Sequence, residues 1–142
     1  MASRAKRHGP WVIVRTPEVE RWLRRLTEKD RLRIEGSIEQ LRLDGPSLVA
    51  GRSKLIKTSR HHNMKELRSV GGHLRVLYAF DPRQRAVLLV GGDKAGDWNG
   101  WYSKYVKVAD AAYSKHLRSL GKEGAWKTTT RTSRGRADAA GR

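Results

Sequence analysis

"KELRSVGGHLRVLYAFDPRQRAVLLVGGDK", residues 65–94, decides the fold of this 142-residue chain. "MKELRSV" (64–70) and "HLRVLYAF" (73–80) flank Gly71-Gly72, and Asp81-Pro82-Arg83 leads into "AVLLVGG" (86–92). Three strand-like runs joined by two short turns predict an antiparallel meander. Within the middle run, Leu74, Val76, Tyr78 and Phe80 share one face through the two-residue period of a strand. The third run is apolar on both faces, as a central strand is.

Upstream, "WVIVR" (11–15) is a short apolar, β-branched strand. Thr16, Pro17 and Glu18 then supply an N-cap, a first-turn proline and a first-turn acid. Val19, Trp22, Leu23 and Leu26 follow at helical spacing. Asp30 is placed as the cap of a second helix with the stripe Ile34, Ile38 and Leu41, closed by Gly45 and Pro46. A short link between the two predicts an antiparallel helical hairpin. Residues 47–63 are irregular, with weak strand character at 54–57. Downstream, Tyr102, Val106, Ala109 and Tyr113 make a stripe for a last helix over 101–117. The expected class is α+β in the order β-α-α-β-β-β-α, a small antiparallel sheet with the hairpin on one face. The boundaries are a basic unstructured start (1–10), one domain (11–120) and a basic unstructured tail (121–142) with little to bury.

Composition narrows the chemistry. The chain has no cysteine, so disulfides and thiolate metal sites are excluded. No run approaches the ~20 apolar residues of a membrane helix, and the basic start lacks an apolar signal region, so a cytoplasmic protein without membrane contact is expected. The net charge is +17, of which +10 remains when residues 1–10 and 121–142 are set aside. A body this basic attracts polyanions, and nucleic acid is the commonest one inside cells. An acidic protein partner fits the same charge.

Strand alternation gathers the candidate site. If Leu74 and its face-mates meet the helices, His73 and Arg75 point the other way, beside Glu66 and Arg68 of the preceding strand. Guanidinium groups on an uncovered sheet face suit phosphodiester oxygens. The same pattern also fits a solvated face in which Glu66 pairs an arginine. The last strand delivers Lys94 to that sheet end, with Tyr102 as a phenol and Trp98 or Trp101 as a stacking plane. His61 and His62 precede the strand of Arg68; a histidine pair suits acid–base work, and a solvated turn equally. Lys57 and His61 are further candidates for RNA contact, with His73 and Trp98. The glycines of "GGDKAGDWNG" (91–100) have neither phosphate-loop spacing, and no third ligand completes a metal site, so no cofactor or metal is expected.

The 65–94 stretch, with "HHNMKELR" before it and "GDWNGWY" after it, resembles the core of the RelE/ParE superfamily of bacterial toxins, in its HigB-like, phage-derived branch. The likeness spans roughly 11–118. It implies the toxin of a type II toxin–antitoxin module that enters the ribosomal A site and cleaves mRNA by 2′-OH transesterification. By motif, Arg75 and Arg68 match the family's strand arginines. Lys94 falls near the cation after the last strand, and Tyr102 near the following tyrosine. Many members carry a lysine where this chain has Glu66, so the general base stays open among His62, Glu66 and Tyr102. The resemblance implies a helix-turn-helix, HigA-like antitoxin as partner, and operator DNA bound through it. Two other functions stay open: a ParE-like gyrase inhibitor, and a non-enzymatic nucleic-acid-binding phage protein.

Overall fold

The computed structural model describes residues 10–49, 51–94 and 98–131, with the side chains of 98, 99, 101 and 122–131 left aside. The elements run β1 (Ile13–Arg15), α1 (Pro17–Arg25), α2 (Glu28–Asp44), a short 3-10 turn (Gly45–Ser47), β2 (Ser53–Leu55), β3 (Lys65–Arg68), β4 (Leu74–Phe80), β5 (Ala86–Asp93) and α3 (Trp98–Arg131). The class is α+β, as the sequence predicts.

Local signals act where they stand. The Thr16 hydroxyl caps α1 by accepting from the Val19 amide at 3.4 Å. The α2 cap is Thr27, not Asp30: its hydroxyl accepts from the Asp30 amide at 3.1 Å, which places Asp30 inside the first turn. Both residue types cap well, and the tight link after Leu26 selects the earlier one. Gly45 closes α2 at φ +58°, a conformation that favours glycine, and the Trp11 ring lies where its side chain would be.

The sheet has five strands in the order β1-β5-β4-β3-β2. The meander is antiparallel as expected. Two details depart from a purely antiparallel sheet of four strands. β1 pairs parallel with β5, because the hairpin carries the chain across the sheet before the meander begins. Ser53–Leu55 adds an edge strand against β3, one to two residues before the weak run at 54–57.

Helices cover both faces. The hairpin packs Val19, Leu23, Ile34, Ile38 and Leu41 on Leu67, Leu74, Val76, Tyr78 and Leu88. On the other face, α3 sets Val106, Ala109 and Tyr113 against Leu77, Ala79, Val87 and Leu89. The face expected to be uncovered is therefore roofed by the last helix. Each fully buried aliphatic side chain contributes roughly 1.5–3 kcal/mol, so two such layers stabilise a domain of this size. Tyr78 belongs to the first core, with its hydroxyl 2.7 Å from Ser53 Oγ and its pKa pushed up to about 12 by burial.

α3 extends beyond the expected 101–117 at both ends. The tail predicted to start at 121 is helical as far as Arg131, and 132–142, like 1–9, lie outside the described residues. Once a helix is nucleated, each further residue costs little.

A bulge in β5 sets the register near the site. Leu77 pairs with Val90 but Tyr78 with Leu88, so one extra residue lies in β5. Leu89 and Val90 consequently both join the α3-side core. Beyond the bulge, Gly91 turns toward α1. A methyl there would meet Trp22 Cε3 at 2.3 Å. Gly91→Ala is expected to destabilise the fold by about 1–3 kcal/mol, because a rigid indole cannot yield. An unchanged thermal midpoint in that variant would sink this account of the packing.

Candidate active site

The β3–β4 register places Arg68 directly opposite Arg75, and the β4–β5 register places Gly92 on the other side of Arg75. Alternation turns Glu66, Arg68 and Arg75 to the α3 face, since Leu67, Leu74 and Val76 occupy the hairpin face. Lys94 follows β5 directly, held by its amide to the His73 carbonyl at 2.8 Å. The second turn of α3 brings Tyr102 over the same spot. The Ser37 hydroxyl on α2 donates to the Arg68 carbonyl at 2.7 Å and fixes the end of β3.

Glu66 is the hub. Its side chain is fully buried. Oε2 accepts from Arg68 Nε at 3.0 Å and lies 3.5 Å from Lys94 Nζ. Arg75 Nε is 2.8 Å from the same oxygen, an ion pair by distance without the alignment of a hydrogen bond. Oε1 accepts from the Tyr102 hydroxyl, which itself accepts from Lys94 Nζ at 2.9 Å. Arg75 Nη1 donates to the carbonyls of Gly72 at 2.8 Å and Leu74 at 3.0 Å, locking its plane. Among the described residues no acceptor engages the terminal nitrogens of Arg68, whose side chain keeps 28% of its exposure.

Three cations thus converge on one carboxylate. Burial pushes Glu66 upward, but hydrogen bonds from Tyr102 and Arg68 and the charges of Lys94 and Arg75 outweigh it, so its pKa lies below the ordinary carboxylate value. Burial lowers Lys94 to about 8, Glu66 opposes that shift and Arg75 adds to it. Tyr102 is raised by burial and by its bond to Glu66, so the phenol holds its proton. With Glu66 ionised and Lys94 charged, the cluster carries net positive charge in a weakly screened place. That arrangement attracts an oxyanion.

The structure brings together Glu66, Arg68, Arg75, Lys94 and Tyr102. His73 stands on the rim, its Nδ1 2.8 Å from Asp93 Oδ1. His61, His62 and Lys57 are not in the cluster. They lie at the far end of the sheet, where His61 Nε2 is 3.0 Å from Ser114 Oγ and its ring meets Tyr113 edge-on. Tyr113 is eleven residues along α3 from Tyr102, about 16 Å at ~1.5 Å per residue. The side chain of Trp98 lies outside those described. Alternation alone did not separate these groups, because it assigns a face and not a position along the strand. The sequence offered Glu66 as the partner of one arginine on a solvated face; the structure buries it and sets Arg68, Arg75 and Lys94 all against it.

The matching family model, Phage derived protein Gp49-like, covers residues 21–114, well over half of the chain. The chain belongs to the Gp49-like family. This Gp49-like protein is 40% identical over 107 residues to the "Putative toxin HigB3" of Mycobacterium tuberculosis, covering 75% of this chain and 94% of that one. It is 41% identical over 108 residues to the "Putative toxin HigB2" of the same organism, covering 72% of this chain but 54% of that one. It is therefore a HigB-like member. The fold matches the free state of a double mutant of the E. coli toxin RelE with a TM-score of 0.52 at 12% identity, over 69% of this chain and 96% of that one. The HigB-like, phage-derived resemblance read from residues 65–94 is thereby borne out, and the chain shares the RelE fold.

Proposed function

We propose that this Gp49-like protein is the toxin of a type II toxin–antitoxin module and an endoribonuclease that inhibits translation by cutting mRNA on the ribosome. The observation that carries the reading is the convergence of Arg68, Arg75 and Lys94 on one buried carboxylate at a sheet end. Cleavage by a ribose 2′-OH passes through a dianionic phosphorane and needs little more than oriented positive charge and one proton acceptor. Arg68 offers its unengaged terminal nitrogens to the phosphate. Arg75, locked by two carbonyls, presents fixed charge. Glu66 is a positioning residue: its carboxylate accepts from Arg68, Lys94 and Tyr102 and lies against Arg75, and so cannot serve as the base. Tyr102 keeps its proton and orients Lys94.

Lys94 takes the base role, since an amine lowered to about 8 is partly neutral near physiological pH. The 2′-OH proton passes to Nζ, the 2′-oxygen bonds to phosphorus, and the 5′-oxygen leaves with a proton from solvent. Ribosome-bound message incubated with the purified protein is expected to be cut, at a rate rising with pH through a midpoint of about 8. The sign follows from the neutral amine being the active form. No cleavage of any message overturns the nuclease reading. Cleavage with a flat or falling profile overturns only the role of Lys94. An adjacent gene for a helix-turn-helix antitoxin completes the module.

A further inference from the structure

The charge of this protein is segregated. Residues 17–44, the hairpin, hold seven acids and seven bases and are neutral. Some of its charges are paired at the surface, as Arg42 with Glu39 at 2.7 Å and Glu35 with Arg15 of β1 at 2.6 Å. The opposite side is different. Between 98 and 121 the bases Lys104, Lys107, Lys115 and Arg118 face a single acid, Asp110. All four bases are exposed. At 100° per residue they fall within an arc of ~80°, opposite the stripe that packs on the sheet. Asp110 does not neutralise them, because it is buried and turned aside. Its Oδ1 accepts from the Ser59 hydroxyl and its Oδ2 from the Arg60 amide at 3.1 Å.

That aspartate pins the loop before β3 against α3. His61 Nε2 adds a contact to Ser114 at 3.0 Å, and Asn63 Nδ2 donates to the Phe80 carbonyl at 2.9 Å. The fastened loop carries Lys57 and Arg60, both exposed, and holds Arg60 against α3 at Asp110. A helix that merely needed solubility would alternate charges at i, i+4. Here like charges stand in line on a rigid support, and the line begins at Lys104, two residues beyond Tyr102 and on the outer side of the helix. From Lys104 to Arg118 it extends about 21 Å at ~1.5 Å per residue.

Resting on the nuclease reading, we infer that this face of α3, continued by Lys57 and Arg60, is a docking track for the phosphates of the message strand leaving the cleavage cluster. The complementary partner is a single RNA strand, because its charges recur at regular short spacing along a line. About six nucleotides cover 21 Å at ~3.4 Å each. An acidic protein segment is the competing occupant.

The test uses binding, so that it stands apart from catalysis. The probes are 2′-O-methyl oligoribonucleotides of three and twelve nucleotides, which cannot be cut. The variant is Lys104→Gln, Lys107→Gln, Lys115→Gln and Arg118→Gln together, with its folding checked by circular dichroism and thermal melting. The control is Arg21→Gln, Arg24→Gln and Arg25→Gln on the neutral hairpin. The native chain is expected to bind the longer probe at least tenfold more tightly than the shorter. The α3 variant is expected to lose that gain, and its plot of log affinity against log salt to flatten by about 3, near 0.7 for each lost contact on a single strand. The short probe and the hairpin variant are expected to behave as native. Equal losses in both variants would indicate bulk charge and overturn the track. So would weakened binding to ribosomes or to an acidic partner with the oligonucleotide unaffected. Cleavage failing while the length-dependent binding persists would overturn the nuclease reading alone.

Discussion

Arg75→Ala is expected to lower the rate of message cleavage by about 10²–10³-fold, the effect of removing one preorganised donor from a developing oxyanion. Arg75 is suited to so large an effect by its setting. Its side chain is one-tenth exposed, its Nη1 is held by two carbonyls, and its Nε lies against a buried carboxylate. A guanidinium so fixed costs no reorganisation when charge develops on the phosphorane. Arg75→Lys should recover only part of the loss, because an ammonium lacks the planar fork. Growth inhibition after induction and mapped 5′ ends of cellular messages report the activity. Melting temperature and binding to the antitoxin report the fold. Undiminished cleavage by a folded Arg75→Ala protein would falsify its catalytic assignment.

Glu66→Gln has the largest expected effect on stability. A carboxylate with no exposure faces Arg68, Arg75 and Lys94, so its neutralisation leaves buried positive charge without a partner. Breaking such a cluster from one side costs about 3–5 kcal/mol. For a domain of this size, 1 kcal/mol moves the thermal midpoint by roughly 2–8 °C, so the loss should exceed ~6 °C. The pH dependence follows from the direction of the shift. The folded pKa of Glu66 is depressed, so its stabilisation is present above the unfolded value of about 4.3 and is lost as pH falls through the folded pKa. Glu66→Gln should therefore remove part of the acid sensitivity of the native protein. Glu66→Leu combined with Lys94→Met should regain stability over Glu66→Gln, since both the carboxylate and a buried charge are absent. Activity lost with melting unchanged in Glu66→Gln would instead indicate a base, and would overturn the positioning role.

How much of this was legible beforehand differs from residue to residue. Thr16, Gly45 and the glycine turn at 71–72 act through their own neighbours, so the signal and the effect coincide. Asp30 failed as a cap because the helix starts three residues earlier, where the Thr27 hydroxyl accepts from the Asp30 amide. Glu66, Arg68 and Arg75 were grouped correctly because alternation and a two-residue turn fix which strand positions are neighbours. His61, His62 and Lys57 were grouped with them only by proximity in sequence, and β3 carries the chain the length of the sheet between the two ends.

By itself the sequence determined the α+β class, the meander, the hairpin, the basic body and the family. Each depends on short-range periodicity, on composition, or on a motif within thirty residues. Only the tertiary structure decided that β1 runs parallel to β5, that α3 roofs the arginine face, and that a bulge turns Gly91 toward Trp22. These depend on which distant surfaces bury one another, and burial is a property of the assembled chain. The same holds for the charges. Glu66 in a strand is an ordinary surface acid until α3 closes over it. Three cations and a phenol then make it the fixed centre of the site.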